Sequence, residues 1–131
     1  MLEIHTGRVA SVRLGPNEDI VESLEQAGAQ LGFRRALVRG GLGSLIDAAF
    51  EGTGGEPRRI EGPAVEILSM SGEISLEQGV EAAGIWGVVG DPTGAVWAGR
   101  FVRGLNLVCI TVEAVLEELV PAPEEDWRRP F

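Results

Sequence analysis

The sequence predicts an α+β domain in which an antiparallel β-sheet or sandwich is flanked by one main helix. Two observations carry this. Nineteen glycines in 131 residues, with no long Lys/Glu-rich helical pattern, point to many turns and strands. Only one stretch, "GPNEDIVESLEQAGAQLGF", repeats apolar residues at helical spacing, while most others alternate or run apolar between turn signals.

The elements follow in order. Arg8–Leu14 alternates polar and apolar residues, as a half-buried strand does. In the helical stretch Asn17 is the expected N-cap, with Glu18 and Asp19 placing negative charge near the positive end of the helix dipole. Ile20, Leu24, Ala27 and Leu31 form its apolar stripe, and Gly32 stops it. "RRALVRGGLGSLIDAAF" reads as a strand through Leu37 and Val38, a bend at Gly40, Gly41 and Gly43, and a second strand toward Phe50. "EGTGGEPRR" is an exposed turn, and "PAVEILSMSGEIS" a long strand with Val65, Ile67 and Ser69 on one face. After the connection "LEQGVEAAG" comes a hairpin, "GIWGVVG" and "AVWAGRFVR", turned by Asp91-Pro92-Thr93-Gly94. A last strand starts at Leu107; its continuation "VEAVLEEL" suits strand or short helix. Residues 1–120 make one domain, and 121–131 form a Pro-interrupted tail in which only Trp127 and Phe131 are apolar enough for a core.

Composition narrows the function. Hydrophobic residues make up 44% of the chain, enough for a folded core. A net charge of -9 sets the average field against a phosphate backbone, so charge alone argues against DNA as a partner. The N-terminus lacks the basic and apolar regions of a leader, and no apolar run is long enough for a membrane helix; a cytoplasmic protein without membrane contact is expected.

The chemistry-bearing residues are few. His5 is the only histidine and Cys109 the only cysteine, so one chain assembles neither a Cys/His metal motif nor a disulfide; no cofactor is expected. Cys109, inside "LNLVCITV", reads as a buried core thiol. Ser44 follows glycines whose N–H groups can face an anion, yet "GLGS" is not the G-x-S-x-G elbow, and strand curvature is the better account of that run. Glu113 sits between apolar neighbours, either as a structural ion-pair partner or as a site acid or base.

The ordered segments "G-P-x-x-E-I-L-S-x-S-G", Gly62 to Gly72, and "G-D-x-x-G-x-V-x-A-G", Gly90 to Gly99, are the most specific parts of a wider resemblance. Over about residues 7–120 the chain resembles the plants-and-prokaryotes-conserved (PPC) domain. The resemblance implies an antiparallel sheet flanked by a helix and assembly as a homotrimer. It also implies a metal site in many prokaryotic members, built from a His-x-His pair and a third histidine on the next strand. Those positions align with Gly84, Trp86 and Arg100, so all three ligands are replaced. A cation pocket would become one with a permanent positive charge beside an aromatic face, suited to a small anion, unless Arg100 pairs with Glu113 or another native carboxylate.

The family's DNA-binding label comes from members that carry AT-hooks, and "RRPF" at 128–131 lacks the hook's glycine. Three function classes stand. The first is a trimeric binding or assembly module recognising itself, a protein partner or a small anion, with Trp86, Arg100, Glu113, Arg39 and Ser44 as candidate ligand-binding residues. The second is a metal-independent enzyme on a small acidic metabolite, with Arg100 as clamp and Glu113 or His5 as base. The third is a DNA-associated regulator, for which Arg8, Arg39, Arg58, Arg59 and Arg103 must gather on one face. The absence of catalytic groups favours the first.

Overall fold

Alternating segments become strands, and the computed structural model, which describes Met1 and residues 3–121, has eight strands, long and short, and one α-helix among the described residues. In chain order they are β1 (Ile4–Leu14), α1 (Ile20–Gln30), β2 (Arg35–Leu45), β3 (Ala48–Phe50), β4 (Arg58–Ile60), β5 (Val65–Ser75), β6 (Gly84–Gly90), β7 (Val96–Arg100) and β8 (Val108–Pro121). Six strands form one antiparallel sheet in the order β1-β8-β2-β5-β6-β7, and β3 pairs with β4 in a separate small hairpin. The expected α+β architecture holds. The tail from residue 122 on, with Trp127 and Phe131, lies outside the described residues.

The helix forms where its stripe predicts, burying Ile20 and Leu24 completely. Each such side chain contributes about 1.5–3 kcal/mol relative to leaving it in water. Its cap differs from expectation. Asn17 adopts φ 69 and donates its backbone N–H to the Val108 carbonyl; Asp19 is the N-cap, its Oδ2 accepting from Glu22 N at 3.0 Å. Asp19 wins because its second oxygen also accepts the Asn106 N–H at 2.8 Å, which ties the helix start to the turn before β8. Asn106 is fully buried and satisfied: Oδ1 accepts from Ala49 N, and Nδ2 donates to the carbonyls of Ala49 and Val102.

The glycine run does not end a strand. β2 passes through Gly40, Gly41 and Gly43 with two register shifts against β8, between Val38 and Gly40 and between Gly43 and Leu45. Gly43, at φ 143, lies so close to β8 that a Cβ there would overlap the Thr111 carbonyl. The glycines therefore let two strands cross tightly, and the curvature reading replaces the bend.

A shift at Leu68 corrects a second expectation. The pairing of β5 with β6 slips between Ile67 and Ser69, so the alternation inverts. Met70, 3% exposed, takes the core place after Val65 and Ile67, and Ser69 faces solvent. β8 runs as strand through the whole of "VEAVLEEL". Its even positions from 112 to 116 point into the core. Cys109 falls on the other face and is only half-buried, not the core thiol expected. Glu113, between buried Val112 and Ala114, is exposed for the same reason.

The register sorts the faces of the main sheet. The inner face packs Val38, Met70, Ile74, Ile85, Val112 and Leu116 against α1 and against the β3–β4 hairpin, where Phe50 and Phe101 meet at 5.1 Å between ring centroids. The outer face has no layer of the described residues over it. It leaves Leu42 (66% exposed), Val96 (62%), Val9 (61%), Leu68 (52%) and Trp86 (50%) open to solvent. No helix among the described residues is long and apolar enough to cross a membrane.

Candidate functional site

The β6–β7 hairpin is fixed at both ends. At its turn, Asp91 accepts hydrogen bonds from Thr93 N, Thr93 Oγ1 and Ala95 N on Oδ1, and from Trp97 Nε1 at 2.8 Å on Oδ2. These bonds, the Thr93 hydroxyl and the Trp97 indole foremost, hold the carboxyl down at about 2. At the open end, Trp86 lies directly opposite Arg100 in the strand register, and Gly84 is two residues before it on the same face. The strand register thus brings Gly84, Trp86 and Arg100 side by side.

Gly84 has φ 84, and an atom in the Cβ position there would overlap the Arg100 guanidinium, which covers the glycine backbone. The Trp86 indole N–H donates to the Ala83 carbonyl at 2.9 Å, so the connection before β6 folds back onto its own strand. Arg100 is 39% exposed and lies 3.8 Å from Glu51, which leads out of β3. The native carboxylate that answers it is thus Glu51, a residue that reads in the sequence only as part of an exposed turn.

Arg100 sits on a cleft of about 420 Å³ between the helix, the end of β5 and the 80–82 connection. Ile74, Ile85 and Phe101 give it an apolar floor. Its rim is mostly acidic: Glu25, Glu51, Glu73 and Glu81 against Arg100 and Arg103. Arg103 is held by Glu25 at 2.7 Å and Glu22 at 3.6 Å, and Glu25 raises its already high pKa. Glu73 is paired with Arg35 at 2.8 Å.

The remaining candidates lie elsewhere. Glu113 is on β8, paired at 3.8 Å with Arg13 of β1, and three strands lie between it and the strand of Arg100 in the sheet order. Ser44 is buried, and its Oγ accepts the Ile110 N–H at 3.3 Å, a structural tie between β2 and β8. Arg39 is exposed at the β2 bulge and bonds Glu117 at 3.2 Å. His5 is exposed on β1, at the opposite edge of the sheet from Arg100. One chain does not bring the clamp and either base of the enzyme reading together. Arg8, Arg39, Arg58, Arg59 and Arg103 lie on β1, β2, β4 and the turn after β7.

The residues at the hairpin end do not fit a metal. Gly84 has no donor atom, the Trp86 nitrogen is an occupied hydrogen-bond donor, and Arg100 carries a permanent charge. Among the described residues no three His, Cys, Asp or Glu side chains converge to hold one.

A curved antiparallel sheet backed by one helix, with a cleft at the open end of its β6–β7 hairpin, defines a small α+β domain class. The chain belongs to the Plants and Prokaryotes Conserved (PCC) domain family, whose model matches residues 1–120. No protein of curated function matches it. Among solved structures it is similar to a hypothetical protein from Salmonella enterica at 27% identity and TM-score 0.73, covering 91% of this chain and 80% of that one. A metal-containing protein from Archaeoglobus fulgidus shares the fold at 20% identity and TM-score 0.74, covering 92% and 86%. So does a Bacteroides thetaiotaomicron protein whose name proposes DNA binding, at 17% identity and TM-score 0.72, covering 88% and 83%.

Proposed function

We propose that this chain is a self-assembling recognition module, a homotrimer that closes over the outer face of its sheet and works without a metal. The observation that carries the reading is that outer face. Monomeric proteins rarely leave a contiguous apolar area uncovered, and here Val9, Leu42, Leu68, Trp86 and Val96 all lie on one side of a single sheet. Further copies of the chain, each turning this surface toward a shared three-fold axis, are the simplest partners. The Arg100 cleft supports assembly ahead of small-anion capture, because an anion must displace Glu51 and enter among four carboxylates.

Light scattering tests it. A mass three times the 13.9 kDa chain is expected at micromolar concentration, and Leu42→Glu, which sets a carboxylate beside Glu113, is expected to dissociate it. A wild-type monomer under these conditions sinks the proposal. DNA binding, which the name of the Bacteroides thetaiotaomicron protein suggests for that relative, would appear instead as affinity for duplex that falls steeply with added salt.

A further inference from the structure

All eleven basic residues of the chain are arginines, set against twenty Asp and Glu. Nine of them fall among the described residues. Eight of those nine have a carboxylate oxygen within 4.0 Å: Arg8, Arg13, Arg34, Arg35, Arg39, Arg59, Arg100 and Arg103. Arg58 has none among the described residues. In so acidic a chain, a guanidinium left without a carboxylate stands out.

It is also held in place. Its Cζ lies 4.4 Å over the centroid of the Trp97 ring, a cation–π contact that engages the guanidinium without using its N–H donors. Trp97 is itself oriented by the bond from Nε1 to Asp91 Oδ2. Asp91 is no partner for Arg58, because its oxygens are committed to the turn. Arg59, the neighbour, is engaged by Asp47 through both hydrogen bonding and charge. Beside Arg58 opens a cleft of about 400 Å³ between β4 and the β6–β7 turn, lined also by Ile60, Gly62, Pro92 and Thr93. It lies at the far end of the hairpin from Arg100 and is independent of the assembly reading.

The geometry points to a binding site for a small monocarboxylate, its carboxylate received by Arg58 and its apolar body against Pro92 and Ile60. One oriented guanidinium matches the two oxygens of a carboxylate. Glu61 on the same rim and the ionised Asp91 disfavour a second negative charge, so a phosphate dianion is the poorer ligand.

The probe is sodium benzoate, titrated at constant ionic strength with chloride as the matched control, and read by the Trp97 indole N–H resonance and by calorimetry. Saturable movement of that resonance is expected, with no response to chloride. Arg58→Ala is expected to abolish the calorimetric signal while leaving the fold intact, since the side chain is exposed. Arg58→Lys keeps the charge but loses the fork, and should weaken binding by roughly tenfold. No saturable response to benzoate, an unchanged Arg58→Ala variant, equal binding by Arg58→Lys, or tighter binding of inorganic phosphate than of benzoate would each overturn the assignment.

Discussion

The guanidinium of Arg100 occupies the space in which a side chain at Gly84 would begin. The two positions are therefore matched: the arginine fits because residue 84 is glycine, and residue 84 is held at φ 84, where a Cβ is strained in any case. The two positions are coupled by geometry, so a change at one is felt at the other.

That coupling is measurable. Gly84→Ala should cost about 1–2 kcal/mol from the left-handed backbone alone, plus a steric share set by Arg100. In urea denaturation, the double variant with Arg100→Ala should recover the steric share and leave the backbone cost, giving a non-additive cycle. Additive effects would show that the arginine simply swings away.

Asn106→Ala is expected to be among the most damaging polar substitutions. It strands the Ala49 N–H and the Ala49 and Val102 carbonyls around a fully buried position. The expected loss is about 3 kcal/mol or more, from several unsatisfied buried groups at once, read by chemical denaturation.

The glycine run and the serine after it should separate cleanly. Gly43→Ala forces a Cβ against the Thr111 carbonyl at a positive φ and should destabilise by roughly 2–4 kcal/mol. Ser44→Ala loses one 3.3 Å bond from Ile110 N and should cost about 1 kcal/mol. Thermal melts of both variants check the order.

Asp91 should report on the hairpin turn at low pH. Its folded pKa, about 2, is below the ordinary 3.8, so its contribution is fully present above about pH 4 and is lost as pH falls through 2. Carboxyl carbon resonances followed by NMR should show this midpoint. The Trp97 indole N–H resonance should move with it, since Asp91 accepts that bond.

Much of the architecture was legible because alternation and helical spacing are local signals. Ile20 and Leu24 marked the buried face of the helix, and Asp91-Pro92-Thr93-Gly94 marked the turn of the hairpin. What escaped depends on partners far along the chain. Asp19 displaced Asn17 as the cap only because Asn106 comes to meet it, and the shift at Leu68, which sends Met70 inward, has no periodic signature. At the site, the resemblance put Trp86 and Arg100 together and strand pairing sets them opposite each other, whereas Glu51 carried no signal. Glu113 had buried neighbours as expected, but strand alternation turned it outward to Arg13. The stack of Arg58 on Trp97 joins two strands that do not pair in the sheets, so no local pattern announces it.

The tie between Asp19 and Asn106 spans 87 positions of sequence. During synthesis, the helix near the beginning of the chain therefore waits for residues close to the end before its first turn is secured. Because β8 lies between β1 and β2, the first strand has no neighbour in the sheet until that late segment emerges. A ribosome stalled before β8 would release a fragment with an unclosed sheet and an exposed interior, material for proteolysis rather than a smaller working domain.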